Sequence, residues 1–318
     1  MAFGATSTAD EVLAGVDLEG RRVLVTGGYR GLGRETARAL ASAGAQVTIA
    51  GRDGDRLTIE QQALGVATGR PIATLVIDLA DQASVRRAAE EFGHRHDRLD
   101  VLINNAGVMG CGYQLTPDGH EMQFAVNHLG HFALTQRLTP LLLAAAPSRV
   151  VNLSSTGHRT SGIRWDDLHF QRDPYDKYAA YGQSKTANVL HVVGLQARLG
   201  AHGVDAFAVM PGVIFTALSR HLTREDIADL TDRAAQTEGG GLQVKSVEAG
   251  AATTVWCATA PALTGRGGLY CEDCRVARPA ADADNGSGFE PHAVDPAGAE
   301  RLWRLSESLT AAGGPATR

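Results

Sequence analysis

The sequence predicts an α/β chain built on a doubly wound parallel sheet of about seven strands, with helices on both faces. Short runs rich in β-branched residues alternate with longer helix-like stretches, and that alternation marks a parallel sheet covered on both sides. A glycine-rich turn lies between the first run and the first helix, where open sheets of this kind hold phosphate groups. The 318 residues are 44% hydrophobic and 20% charged, which supplies a core and argues against a disordered chain.

The expected strands are Arg22–Thr26, Gln46–Ala50, Ile72–Ile77, Val101–Asn104, Arg149–Leu153, Asp205–Met210 and Gly268–Tyr270. Between the first two, Gly33–Ala43 carries Ala37, Leu40 and Ala41 at helical spacing, with Gly44 as a stop signal. Tyr181–Leu199, with Ala187, Leu190, Val193, Leu195 and Leu199, reads as a longer helix. Two stretches interrupt the alternation: a polar insertion between Ser155 and Tyr181, and Val213–Val247, rich in Thr, Asp, Arg and Gly. Loops of that length usually border a site, and Trp165, Phe170, Ile214, Phe215 and Leu218 within them suggest an apolar ligand. Pro279–Pro296 reads as loosely ordered, before a short amphipathic helix around Leu302, Trp303, Leu305 and Leu309. No repeat or compositional break separates a second domain. The expected organisation is an N-terminal extension over 1–17, one domain over 18–278 with site loops near 157–178 and 213–247, and a tail over 279–318.

A net charge of −5 provides no basic field for a nucleic-acid backbone. Four cysteines, Cys111, Cys257, Cys271 and Cys274, are too few for a disulfide framework and fit a reducing compartment, so a cytoplasmic protein is expected. Met1–Asp17 lacks the basic and apolar regions of a secretory leader. The longest apolar stretch, Leu138–Ala146, is short and broken by Thr139 and Pro140, so no membrane span is expected.

The turn Thr26-Gly27-Gly28-Tyr29-Arg30-Gly31-Leu32-Gly33 enters a helix, whose first N–H groups and positive dipole end suit a pyrophosphate. At the end of the second strand, where an NAD site would present an acid to the ribose, Gly51 stands instead. Arg52, with Arg30 from the turn, could clamp a 2′-phosphate, which favours NADP(H); Asp53 in that role would restore NAD(H). Asp78 closes the third strand either as a partner of an adenine amino group, with Leu79 on the ring, or as a helix N-cap.

Tyr181 and Lys185 lie four apart and so share a helix face, where the ammonium would favour the phenolate. Tyr175 and Tyr178 have Ala179 and Gly182 at that spacing. The Ser154-Ser155 pair ends the fifth strand at the ligand-binding edge, and Asn104-Asn105-Ala106-Gly107 ends the fourth with small residues suited to close cofactor approach. Asn127, expected on a helix, has an amide that could hold a water relaying protons towards Lys185.

In this joint order the chain resembles the short-chain dehydrogenase/reductase family, whose fold is Rossmann-type, from about Leu18 to Ala277. The resemblance implies that Tyr181 is the general acid/base and that Lys185 lowers its pKa and holds the nicotinamide ribose. It also makes Ser155, the second of its pair, the carbonyl orienter, and Asn127 the relay. It further implies that Gly27, Tyr29, Arg30, Gly31, Leu32, Gly33, Arg52, Asp78, Leu79, Asn105, Ala106 and Gly107 border the cofactor. Pro211-Gly212-Val213 and Thr216 would close over the nicotinamide.

Asn105 to Met109, Phe124 to Phe132 and Gly268 to Cys274 resemble the retinol-dehydrogenase-like and WW-domain-oxidoreductase-like branch, which implies a hydrophobic alcohol or carbonyl substrate. Some relatives are homodimers and some monomers. The alternative from another class is a sensor or scaffold that binds NADP(H) without turnover. An epimerase fits less well, because Gly31-Leu32-Gly33 closes the turn. Cys271 and Cys274 lack the second ligand pair of a zinc site, and His128 and His131 read as packed or hydrogen-bonded, so no metal is expected.

Overall fold

The computed structural model describes residues 3–216, 218, 223–226, 228, 244–283 and 287–311; the rest of the 213–247 loop, residues 284–286 and the rest of both termini lie outside the described residues. The apolar runs form β1 (Arg22–Thr26), β2 (Gln46–Gly51), β3 (Ala73–Val76), β4 (Val101–Asn104), β5 (Ser148–Leu153), β6 (Val204–Met210) and β7 (Leu269–Glu272). They are hydrogen-bonded in the order β3-β2-β1-β4-β5-β6-β7. An eighth strand, β8 (Arg275–Val276), turns back antiparallel on β7. Two residues carry no readable periodicity, and the turn before them uses left-handed Asp273 and Cys274, so nothing in the sequence marked it.

Alternation along each strand divides the core between the two faces. Val23, Val25, Ile103, Val151, Phe207 and Val209 pack in one cluster, while Leu24, Leu102, Val150, Ala206 and Ala208 pack in the other. Helices α2 (Gly31–Ser42), α3 (Gly54–Thr68), α4 (Gln82–Arg95), α6 (Gly130–Ala144), α7 (Lys177–Leu199) and α8 (Val247–Thr259) cover the faces. The short α5 (Met122–Phe124) runs through a π-helical segment, Ala125–Leu129, into α6. The expected helix at Tyr181 starts four residues earlier, because Asp176 caps α7 by accepting from Tyr178 N and Ala179 N.

The N-terminal stretch is less of an extension than its sequence suggests. Its helix α1 (Ala9–Leu13), closed by a Thr8–Glu11 capping box, buries Ala9, Val12 and Leu13 in the first core cluster. Pro279–Pro296 is likewise not loose where it is described. Ala280 N donates to Phe289 O at 2.8 Å, Gly288 N donates to the buried Glu272 carboxylate at 2.9 Å, and Ala293 is fully buried. The following helix α9 (Pro296–Ala311) puts Leu302 and Trp303 into the core. Among the described residues no helix is long and apolar enough to cross a membrane.

The sheet order reverses between β1 and β4, which places a crevice at the carboxyl ends of those strands. β5 and β6 adjoin it, so the loops leaving β1, β4, β5 and β6 converge there.

Candidate active site

Helix α2 begins at Gly31 with Arg30 as an extended N-cap that makes no side-chain cap. By contrast α3, α4, α7 and α8 are capped by Asp53, Asp81, Asp176 and Ser246. The open first turn of α2, carrying Gly31, Leu32 and Gly33, is a fitting cradle for a pyrophosphate. Gly33 admits no other residue, since a Cβ there would run into Asn105 Nδ2 and the Gly27 carbonyl.

Thr26, which the sequence reading left unassigned, ties this turn to the end of β4. Its hydroxyl accepts from Asn105 N at 2.9 Å and Ala106 N at 3.0 Å, and its carbonyl accepts from Asn105 Nδ2 at 2.7 Å. His131 Nε2 lies 2.8 Å from the same hydroxyl, and Nδ1 lies 3.0 Å from the Asn127 carbonyl. The loop after β6 folds over the turn from the other side. Thr216 comes within 3.4 Å of where a Gly31 Cβ would sit, and Leu32 and Ile214 both lie against Gly250 of α8. Pro211 and Gly212 lead into that loop, and Val213 pairs with Val244.

At the end of β2 the Tyr29 ring fills the space that a side chain at Gly51 would need, and the Arg30 guanidinium lies 5.1 Å from that ring. Arg52 is exposed beside it. The Asp53 carboxylate is engaged elsewhere, accepting from Arg56 N at 3.1 Å as the cap of α3. Asp78 is not a helix cap: that role falls to Asp81, while Asp78 Oδ1 accepts from Ala80 N at 3.0 Å and holds the local turn. The Leu79 side chain is buried against Gly130 in the second core cluster, which leaves little of it to cover an adenine.

The serine pair divides its work by burial. Ser154 points inward and donates to the Lys185 carbonyl at 3.0 Å. Ser155 stays half-buried next to Tyr181, its hydroxyl accepting from Gly157 N at 3.1 Å. Lys185 Nζ lies 5.5 Å from the Tyr181 ring centre and donates to the Leu153 carbonyl at 3.0 Å. Asn127 and Lys185 both border Gly107, so the ends of β4 and β5 meet α7 here.

The amide of Asn127 is already occupied. Oδ1 accepts from Val108 N at 2.8 Å, and Nδ2 donates to Val108 O and Ser184 Oγ, both at 2.9 Å. Its side chain therefore fixes the β4 loop to α7, which differs from the water-holding amide expected from sequence.

Electrostatics also differ from expectation. Burial pushes the Tyr181 phenol up to about 12, opposed by the Ser155 hydroxyl, and burial pulls Lys185 down to about 8. Both groups are desolvated together, so removal from water outweighs the expected help from the ammonium. Tyr175 is no rival: its hydroxyl donates to Glu121 at 2.9 Å, and burial with that neighbour raises its pKa.

A family model of the short chain dehydrogenases matches residues 21–227. The chain belongs to the short-chain dehydrogenase family. This makes it an oxidoreductase that binds a nicotinamide cofactor and acts on a small molecule. A probable oxidoreductase of Streptomyces lividans is 44% identical over 94% of this chain and 100% of its own. Human retinol dehydrogenase 13 is 38% identical over 95% of this chain and 88% of its own, which bears out the retinol-dehydrogenase likeness. Among solved structures, the Pseudomonas aeruginosa RhlG/NADP active-site complex shares 30% identity and a TM-score of 0.64, covering 80% of this chain and 95% of its own.

Two of the apolar residues expected near the ligand, Trp165 and Phe170, lie elsewhere in this dehydrogenase. Trp165 packs with the third core cluster under the Arg301 guanidinium, and Phe170 is buried, so neither lines an open pocket. Cys271 and Cys274 are buried, and Cys274 N donates to Thr253 Oγ1 at 3.1 Å. His128 Nε2 lies 2.8 Å from Ser306 Oγ, joining the π-helical segment to α9. Sequence reasoning also missed Asp226, which accepts from Lys177 Nζ at 2.6 Å and Tyr178 hydroxyl at 2.8 Å and so anchors the 213–247 loop to the start of α7.

Proposed function

We propose that the protein is an NADP(H)-dependent oxidoreductase that interconverts a hydrophobic alcohol and its aldehyde or ketone, with Tyr181 as the general acid/base. The reading rests above all on the Tyr181 phenol lying under the Ser155 hydroxyl, with Lys185 one turn further along α7. When bound, a reduced nicotinamide dinucleotide supplies a hydride to the carbonyl carbon. Ser155 orients the carbonyl oxygen, and Tyr181, kept protonated at neutral pH by its burial, gives that oxygen its proton. Lys185 holds the nicotinamide ribose and keeps positive charge near the phenol as it loses its proton.

The preference for NADP(H) is supported by Gly51 in place of an acid, by the engagement of Asp53 as a cap, and by Arg30 and Arg52 at that end of the site. The RhlG relative is described with NADP. A hydrophobic substrate is supported by the retinol dehydrogenase relatives and by exposed Val213, Phe215 and Val244 on the loop after β6.

The test is NADPH consumption with a panel of carbonyls from small quinones to retinal and steroids, with Tyr181→Phe alongside. Turnover should fall by at least about 10²-fold in the variant, the usual scale of general acid–base catalysis, while NADPH still binds. NADPH binding without turnover on any carbonyl would favour a sensor. Arg52→Ala should raise KM for NADPH by about tenfold, as for a lost charged hydrogen bond, and leave KM for NADH unchanged. Equal effects on both cofactors would defeat the 2′-phosphate assignment.

A further inference from the structure

Ser155 is held from behind by a histidine that sequence reasoning did not single out. His158 is fully buried in the one-turn helix Thr156–Arg159 that follows the serine. Its Nδ1 lies 2.6 Å from the Ser155 carbonyl, and its Nε2 accepts from Glu290 N at 3.2 Å. A backbone N–H can only donate, so Nε2 is the acceptor and Nδ1 carries the proton given to Ser155. Both ring nitrogens are thereby committed in the neutral form, one to the site and one to the C-terminal tail.

The turn and the tail meet at further points. The His158 carbonyl accepts from Thr186 Oγ1 and lies near His292 Nε2, both at 3.0 Å. Arg159 pairs with Glu290 at 3.3 Å. The tail is also fastened on its far side, where Gly288 N donates to the buried Glu272 carboxylate of β7. The Tyr270 ring, from the same strand, packs on the His158 ring at 5.0 Å between centres. On the site side, Gly157 of the turn lies against the Tyr181 ring and donates its N–H to Ser155 Oγ. A shift of this turn therefore moves the serine hydroxyl relative to the phenol.

We propose that the segment around Glu290 is a strap that positions Ser155 through His158, which makes His158 a positioning residue for the reaction. This inference rests on the reading of Ser155 as the group that orients the carbonyl. The serine lies just past the strand end, where the preceding Ser154 N donates to Val209 O of β6 at 2.7 Å. Its own carbonyl is held by the turn, through His158 N at 3.1 Å and the His158 ring. The tail thus reaches the turn beside the reacting groups across a sequence distance of more than a hundred residues, through the His158 imidazole and the Arg159–Glu290 pair.

The experiment compares His158→Ala, His158→Gln, Glu290→Pro and Ser155→Ala in the full chain. Glutamine carries a neutral donor and acceptor, so it can replace both imidazole bonds. Proline at 290 removes the N–H together with the carboxylate that pairs with Arg159, so Glu290→Ala, which loses the carboxylate and keeps the N–H, is run beside it; the φ of −82° there is close to what proline adopts. Turnover is read with the fastest carbonyl of the panel above, NADPH affinity by fluorescence, and amide exchange of the 155–160 peptide by mass spectrometry.

His158→Ala should lower kcat by roughly 10- to 100-fold with NADPH affinity unchanged, as expected for a displacement of about an ångström at a reacting group. His158→Gln should recover most of that loss. Relative to Glu290→Ala, Glu290→Pro should lower kcat by about 2- to 10-fold, the equivalent of one hydrogen bond, and speed exchange over 155–160. The exchange measurement needs no substrate and decides the matter even if alanine at 158 fails to fold. Wild-type kcat in His158→Ala and Glu290→Pro beside an inactive Ser155→Ala, or unchanged exchange in Glu290→Pro, overturns the strap. Full turnover in Ser155→Ala instead removes the role assigned to the serine.

Discussion

Tyr181 and Lys185 were legible in the sequence as a pair, yet their protonation was not, because it depends on how deeply both are buried. With the phenol near 12 and the ammonium near 8, the resting site holds Tyr–OH and a mostly charged lysine at neutral pH. For carbonyl reduction this sets the sign of the pH dependence. kcat/KM should be level below about pH 7 and fall as pH rises through the Lys185 value near 8, since deprotonation removes the charge that aids the phenol. A pH profile checks this, and a rate that rises above pH 8 contradicts it. Gly51 makes a second case at this scale. Its glycine was read as the absence of an acid, whereas the structure adds that the Tyr29 ring occupies the space. Gly51→Ala should displace that ring and weaken NADPH binding several-fold, measured by titration of the dinucleotide's fluorescence, and an unchanged Kd would show that the ring does not shape the site. Ser155 over Ser154 was read from resemblance alone; the physical distinction is that Ser154 spends its hydroxyl on the Lys185 carbonyl.

Among the elements, the seven parallel strands were legible to within one or two residues because a strand buried on both faces is a continuous apolar run, while the short antiparallel β8 was not. Helix starts were less so, since they depend on which polar side chain turns back onto the backbone. Asp176 was passed over as part of a polar insertion, yet it accepts from two N–H groups and starts the helix that carries Tyr181 and Lys185. Asp176→Ala should cost about 1 kcal/mol of stability, the usual value of an N-cap, read as a lower urea midpoint with an unchanged m-value. No loss would mean that tertiary packing alone sets this helix start. The π-helical segment Ala125–Leu129 has no sequence signature at all. It brings Asn127 onto Val108 and Ser184, so a residue expected to act through water instead joins two elements.

At the scale of the whole molecule, the structure keeps several histidines away from water. Burial holds His128 near 3 and His131 and His158 near 4, against an ordinary value of 6.5. Above pH 6.5 these rings are neutral in both folded and unfolded chains and stability is at its full value. As pH falls from there toward 4, the unfolded chain takes up protons that the folded chain refuses, so stability declines by about 1.4 kcal/mol per pH unit for each ring. Urea unfolding between pH 7 and 5 should therefore show a falling midpoint, and replacing His128 by Phe should make the fall shallower even where it changes stability at pH 7. A flat profile would mean that these rings are protonated in the folded protein.

The doubly wound sheet and the order of Gly33, Asn105, Ser155, Tyr181 and Lys185 along the chain were accessible from sequence, because each depends on local patterning or fixed spacing, whereas the order of the strands within the sheet was not. What only the tertiary structure decided are the partnerships between residues far apart. Thr26 with His131, Tyr29 beneath Gly51, Asp226 on Lys177 and Tyr178, and the tail at Glu290 on His158 leave no periodic trace. The physical reason is that a single hydrogen bond between distant segments constrains two residue types only loosely. Burial, which sets the protonation of Tyr181, Lys185 and the histidines, is a property of everything packed around them.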